Sequence, residues 1–436
     1  MYRTLKSPIS AQIEITEHCN WRCIHCYNYW RTQEARSYTT LTIEEVEKIV
    51  TELADNEVFD LTFTGGEPLL FPEQVLAGAT IAKKRGMWIG LNSNLTHLTH
   101  RLAHDLKSVG FKSVLVSLCG PTPEIHEQIS GREGSFKEGT RGILIALEAG
   151  LKVFVNMVTT RANQDYAYET GAYVAGLGAS GFSVTRATAP GNCPNFEEDF
   201  QISREKIKEH MEILLQLELD FGYNVSVCEC HPLCLIGDVK RFRHISRRGC
   251  NAGISTLAIG SKGEVRPCTH VGNSYGNILV EGLHASWLRM IEWRDGSLVP
   301  ETCSLCKYFP ICTGGCRMEG KNSKGSLNGM DTHATGPEDV VPPEDGWISP
   351  DRDISGYWVV NPTARLRTED FGGIIKVTDG GRIPLNKDSY QLLTKLCERR
   401  AFTFEDVGKE FSFNPQSESS YQFLQIMLKR SIFMRP

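Results

Sequence analysis

The order in which short apolar runs and longer amphipathic stretches follow one another constrains this chain most. Between residues 11 and 225, runs rich in β-branched and apolar residues at 11–15, 60–64, 87–91, 113–118, 152–158 and 181–185 alternate with stretches such as 42–54, 74–85, 136–149 and 202–219, whose apolar residues recur at helical spacing. Strands separated by helices pair parallel, through right-handed crossovers. Six such units predict an α/β fold, either a parallel sheet or a partial (β/α)6 barrel, with its chemistry on the loops that follow the strands.

Two of those loops carry the informative residues. Cys19, Cys23 and Cys26 follow the first strand with the spacing C-x3-C-x2-C, and Gly65-Gly66-Glu67-Pro68 follows the second. Clustered thiols in a chain without a secretory signal read as metal ligands rather than disulfides. Their spacing suits a four-iron cluster with one iron left for a small-molecule ligand. Structural zinc prefers four protein ligands in a closed site, and no fourth Cys or well-spaced His accompanies the triplet. Gly65 and Gly66 admit a ligand to the backbone where side chains would exclude it.

At 436 residues the chain exceeds what one core usually serves. Its net charge of −5 argues against bulk nucleic-acid binding. The opening Met1-Tyr2-Arg3-Thr4-Leu5-Lys6 leads into no apolar run, so neither signal peptide nor membrane helix is expected, and a cytoplasmic location follows. Of 15 Cys, nine lie between 228 and 316, which marks a second metal-rich zone. The expected divisions are 1–225 for the barrel, 226–350 for the Cys-rich region with a linker or wrapping loop over 321–351, and 351–436 for a last domain. In that domain strand candidates at 358–367, 373–378 and 382–385 precede helical runs at 389–400, 404–411 and 419–429, a winged-helix-like β3α3 pattern.

Cys19, Cys23, His25 and Cys26 together with Gly65-Gly66-Glu67-Pro68 resemble the radical SAM superfamily. The resemblance implies that the three Cys hold a 4Fe-4S cluster whose remaining iron is chelated by S-adenosylmethionine. It further implies that His25, Gly65, Gly66, Glu67, Asn94 and Ser117 line the SAM site, with Glu67 receiving the ammonium of the methionine moiety. One departure stands after the fourth strand, where relatives commonly read Ser-Leu-Asp-Gly and this chain reads Ser117-Leu118-Cys119-Gly120. Cys119 either faces the active site in place of a carboxylate or is a compact packing residue.

Cys250, Cys268, Cys303, Cys306, Cys312 and Cys316 resemble the SPASM domain, which appends two auxiliary 4Fe-4S clusters to a radical SAM core; a zinc ribbon is the alternative. The resemblance assigns Cys250, Cys268 and Cys316 to an inner cluster and Cys303, Cys306 and Cys312 to an outer one. The family's seventh Cys is missing after Cys316. His333, in preference to Asp331, stands where that ligand should fall. Cys234 either completes the inner cluster or leaves it an open iron, and Cys193 and Cys397 read as packing residues.

The last 80 residues resemble the PQQ-biosynthesis protein D-like RiPP recognition element, through the run 361–367, a hairpin at Asp379-Gly380-Gly381 and the approach to the helix at 389. An exposed strand edge is a sound device for catching an extended peptide. A DNA-reading winged helix is disfavoured, because the third helix carries only Lys429 and Arg430 at its end. Together the resemblances imply a maturase that binds a ribosomally made precursor peptide through its leader. It would form an intrapeptide thioether or carbon–carbon crosslink by way of a 5'-deoxyadenosyl radical. The cofactors implied are three 4Fe-4S clusters and S-adenosylmethionine. The implied partners are the peptide and a reductant such as flavodoxin or ferredoxin, with no nucleic acid or membrane. The alternatives are a maturase oxidising Cys or Ser of a protein to formylglycine, and a non-catalytic iron-sulfur sensor or scaffold.

Overall fold

Seven strands laid side by side in sequence order form the frame: β1 (Ser10–Glu14), β2 (Asp60–Thr64), β3 (Trp88–Ser93), β4 (Ser113–Ser117), β5 (Lys152–Thr159), β6 (Gly181–Arg186) and β7 (Asn224–Val227), all parallel. The computed structural model describes residues 4–32, 37–188, 200–246, 249–343, 353–377, 382–411, 414 and 417–436. It divides into two compact units, Met1–Glu344 and Asp345–Pro436.

Helices α1 (Ile43–Asp55), α2 (Pro72–Lys84), α3 (His100–Ser108), α4 (Pro123–Ser130), α5 (Ser135–Glu148), α6 (Ala167–Gly176) and α7 (Arg204–Phe221) connect the strands. In α1, Thr42 and Glu45 form a reciprocal capping box that starts the helix, while Val46, Ile49, Val50 and Leu53 are buried at helical spacing. Losing such a cap costs about 1 kcal/mol. Along β5 every second residue is buried, as a strand covered on one face requires.

The strands expected from the sequence start within a residue of where they occur, but the sheet is wider than six. β7 supplies a seventh parallel strand, so the boundary expected at 225 falls inside a strand. On the other side β8 (Thr256–Ile259) pairs parallel with β1, and β9 (Val265–Arg266) pairs antiparallel with β8. The Cys-rich region therefore shares the sheet of the barrel. A fully buried ion pair between Arg266 and Glu14 ties β9 to the end of β1, and Arg266 also donates to the Thr269 and Val271 carbonyls at 3.2 and 3.0 Å. Helix α8 (Ile278–Arg289), turned at Gly282, fastens to α1 through Lys48 Nζ to the Leu279 carbonyl (2.6 Å) and the Leu283 N–H to Glu52 Oε1 (2.9 Å).

The stretch expected as a linker or wrapping loop begins inside helix α9 (Arg317–Lys324) and then wraps. Val341 exchanges backbone hydrogen bonds with Gly237 (2.9 Å) and Val239 (3.1 Å).

The second unit holds an antiparallel sheet in the order β11 (Arg365–Glu369), β12 (Gly372–Lys376), β13 (Arg382–Asn386), followed by α10 (Lys387–Cys397), α11 (Phe404–Phe411) and α12 (Glu418–Lys429). Ile375, Leu385, Leu393, Val407, Leu424 and Met427 are among its buried core. The strand expected over 358–367 is two pieces. Asn361 Oδ1 accepts from the Thr363 N–H (2.9 Å) and hydroxyl (2.8 Å), a local turn that breaks the run. The first piece, β10 (Val359–Val360), pairs instead with a short C-terminal strand, β14 (Phe433–Met434). Cys397, expected to be packed, is exposed at the end of α10. The hairpin at 379–381 and Cys193 lie outside the described residues.

Candidate active site

The loop after β1 is held by two neighbouring loops. On one side the Ile15 N–H donates to the Thr64 carbonyl (3.0 Å), the Gly66 N–H to Thr16 (2.7 Å) and the Glu67 N–H to His18 (2.8 Å). On the other the Arg22 N–H donates to Ser130 (2.9 Å) and the Ile24 N–H to Ile129 (3.0 Å), at the end of α4. Cys19, Cys23 and Cys26 all lie half-buried on this one loop, and none is in a disulfide. The two glycines are demanded by contact between the loops. A Cβ on Gly65, whose φ is +130°, would lie 2.6 Å from the Thr16 carbonyl oxygen, and one on Gly66 would lie 2.0 Å from that of His18.

Glu67 is buried, and its carboxylate already accepts three hydrogen bonds: from the Leu69 N–H (3.0 Å), the Ser93 hydroxyl (2.7 Å) and the Asn94 N–H (2.8 Å). Burial pushes its carboxyl above the usual range, while these donors pull the other way. Beyond the role expected of it, Glu67 ties the loop after β2 to the loop after β3. Asn94 carries the connection on to the Cys loop by donating to Asn20 Oδ1 at 2.8 Å. Asn28 Nδ2 reaches the Gly65 carbonyl at 3.2 Å. Ser93, Asn20 and Asn28 were not singled out in the sequence; Asn20 lies within the Cys triplet and Asn28 two residues after it, which is the one available signal.

Below this rim a cavity of about 470 Å³ is walled by His25, Tyr27, Asn92, Leu115, Asn156, Ser183, Arg186, Cys228 and His270, among others. His25 and His270 are neutral at physiological pH, since burial holds both at about 4. Tyr27 stacks on His270 with ring centroids 4.3 Å apart. Asn156 Oδ1 accepts from Ser183 (2.9 Å) and Thr185 (2.7 Å), and the Cys228 thiol donates to Ser183 at 3.2 Å. Arg186 is held by a bidentate pair with Asp331, at 3.2 and 2.7 Å, both side chains being buried. Arg186 is thus the cation among the named wall residues, and its charge is met by Asp331. Ser117 sits at the end of β4, two residues beyond Leu115 on the same strand face and in register with Asn156.

Cys119 does not face this cavity. It is buried, its N–H donates to His126 Nδ1 (3.0 Å), its carbonyl accepts from Asn163 (2.9 Å), and burial pushes its thiol up to about 12. Of the two readings of this residue, the packing one holds.

The second zone gathers thiols from separate segments. Cys250 is hydrogen-bonded to Cys230, which holds its thiol below the usual range against the opposing effect of burial, and it lies within electrostatic reach of Cys268 and Cys316. Burial and then the neighbouring Cys250 push Cys268 up to about 12 and raise Cys316 as well. Cys303, Cys306 and Cys312 line a second, apolar-walled cavity, and the fourth thiol on that wall is Cys234. Cys234, read from the sequence as either completing the inner group or leaving it open, thus stands beside the expected outer trio. His333 is not on that wall. Burial, then Arg186, holds its ring at about 4, and the other charged groups acting on it are Asp331, His231 and Arg204. Asp331 is committed to Arg186 and to the N–H groups of Cys316 (3.0 Å) and His333 (3.1 Å). Among the described residues no three His, Cys, Asp or Glu side chains are drawn together around a single metal ion.

Residues 13–170 match the family model of the radical SAM superfamily. That stretch is a radical SAM domain. It is 26% identical over 353 residues to an AdoMet-dependent heme synthase of Oleidesulfovibrio alaskensis, covering 75% of this chain and 88% of the relative. It is 27% identical over 331 residues to the antilisterial bacteriocin subtilosin biosynthesis protein AlbA of Bacillus subtilis, covering 72% and 68%. Among solved structures, Streptococcus suis SuiB bound to precursor peptide SuiA superposes with a TM-score of 0.61 at 17% identity, covering 75% of this chain and 76% of that one. SuiB has also been solved with S-adenosylmethionine bound.

The residues present fit a cluster and its cosubstrate. Three thiols share one loop, and the adjoining groups Asn20 Nδ2, His25 Nδ1 and Asn28 Oδ1 are buried without a hydrogen-bond partner. A site prepared for a polar ligand leaves such groups waiting.

Proposed function

We propose that this radical SAM enzyme modifies a ribosomally made precursor peptide, joining two of its residues through a thioether or carbon–carbon bond. The observation that carries the reading is the second unit. Among the described residues its strand β13 has a neighbour, β12, on one side only, which leaves an edge that an extended leader can join through main-chain hydrogen bonds. The likeness to AlbA and the fold shared with peptide-bound SuiB support the same direction.

In this reading Cys19, Cys23 and Cys26 hold the SAM-binding cluster, and Gly65, Gly66, Glu67, Asn94, Ser117 and His25 form the surroundings of S-adenosylmethionine. When bound, these two groups supply a 5'-deoxyadenosyl radical that takes a hydrogen atom from the substrate. The protein positions the peptide and keeps water from the radical. Asn156, Ser183 and Thr185 offer hydrogen bonds to a peptide backbone, and neutral His25 and His270 place no charge beside the reacting carbon. Cys250, Cys268 and Cys316, with Cys303, Cys306 and Cys312, would hold auxiliary iron-sulfur groups, which would supply an acceptor for the second electron that crosslinking removes from the peptide. A low-potential reductant such as flavodoxin or ferredoxin completes the partners.

The heme synthase relative favours a second reading, in which the 470 Å³ cavity receives a tetrapyrrole. Anaerobic reaction of the reduced enzyme with a candidate precursor peptide, taken from any short reading frame found beside its gene, separates the two. The proposal expects a peptide lighter by two hydrogen atoms, formed only when the leader is present. An unmodified peptide alongside turnover of an iron-porphyrin substrate would sink it.

A further inference from the structure

The segment leaving β7, Cys228-Glu229-Cys230-His231-Pro232-Leu233-Cys234, touches three places in seven residues. Cys228 stands on the wall of the central cavity, Cys230 is hydrogen-bonded to Cys250, and Cys234 stands on the cavity wall formed with Cys303, Cys306 and Cys312. Pro232, with its fixed φ, and Leu233 lie between them and line the last cavity too. The Leu233 N–H donates to the Cys312 sulfur at 3.2 Å, and the Thr335 N–H to the Cys234 sulfur at 3.4 Å. These are the backbone contacts that steady thiolates on iron.

We infer that this segment completes both auxiliary ligand sets: Cys230 with Cys250, Cys268 and Cys316, and Cys234 with Cys303, Cys306 and Cys312. The inference rests on the reading that the second thiol zone holds auxiliary iron-sulfur groups. It gives each group four thiolates, so neither keeps an open iron for a substrate sulfur. It also replaces the missing C-terminal Cys by one upstream, and relieves His333 of any ligand role. Because the segment starts at the cavity wall and ends at the outer set, it is a continuous seven-residue covalent path from that cavity to both groups.

The test uses the full chain, reconstituted anaerobically, with Cys19, Cys23 and Cys26 changed to Ala so that only auxiliary signals remain. In that background Cys268→Ala and Cys306→Ala identify the inner and outer signals in the electron paramagnetic resonance spectrum. The inference expects Cys230→Ser to alter the inner signal and its midpoint potential alone, Cys234→Ser to alter the outer alone, and His333→Ala to alter neither. Ser keeps the volume and an oxygen ligand, so the fold survives the change. Unchanged spectra in Cys230→Ser and Cys234→Ser, or effects that are exchanged between the two, overturn the inference while leaving auxiliary groups in place. A parent protein with no iron and sulfide beyond the leading trio would overturn it together with the reading beneath it.

Discussion

Cys19, Cys23 and Cys26 come from one loop, clamped on both sides by backbone hydrogen bonds, whereas Cys230, Cys250, Cys268 and Cys316 come from four segments spread over 87 residues, 230 to 316. The first region is local: its thiols are neighbours in sequence, and the fold needs only to bring Gly65 and Gly66 against their loop. The second is assembled by tertiary structure, through β8 joining the barrel sheet, a buried Arg186–Asp331 pair and the return of the 331–335 loop past Cys316 and Cys234. A site of the first kind is damaged at its loop; a site of the second kind is damaged from a distance.

Asp331→Ala probes that contrast most severely. It leaves Arg186 buried without its bidentate partner and removes the acceptor of the Cys316 N–H, and should cost about 3–5 kcal/mol of stability. Denaturant unfolding of the reconstituted protein measures it, and the auxiliary signals should weaken while the leading cluster persists. A loss below about 1 kcal/mol would mean that the distant pair does not organise the second zone.

Gly66→Ala strikes the local region instead. The new Cβ must displace the His18 carbonyl, and a shift of about 1 Å in the loop should slow SAM cleavage on the order of a hundredfold with auxiliary spectra unchanged. Glu67→Gln keeps the shape but removes the charge that holds Ser93 and the Asn94 and Leu69 N–H groups. About 1.5–3 kcal/mol of loop anchoring goes with it. A weaker response to added SAM in the cluster spectrum should report the change. Cys119→Ala lies outside both regions and should leave SAM cleavage at the parent rate and stability within about 1 kcal/mol. A large loss of rate there would restore this thiol to the active site.

The same contrast explains what was legible beforehand. The strands, the Cys loop and the Gly-Gly-Glu turn follow from period, length and spacing, which are properties of neighbouring residues. Ser93, Asn20 and Asn28 fill hydrogen-bond sites created only when loops meet, and Arg186 announces nothing until Asp331 arrives from 145 residues away. β7 and β8 are four residues each, too short for a periodic signal to separate them from coil. The neighbours of Cys234 could not be read, because linear order gives no information on which side of a turn a thiol faces. The strand at 358–367 failed for a local reason, the Asn361 turn, which a closer reading of Asn-Pro-Thr would have caught.

The account stands or falls on the leading trio. Anaerobically reconstituted and reduced enzyme, incubated with S-adenosylmethionine, should release 5'-deoxyadenosine and methionine, and Cys23→Ala should release neither while keeping its auxiliary iron. Iron-loaded enzyme that leaves the cosubstrate intact, or a Cys23→Ala variant that cleaves it at the parent rate, would contradict the account.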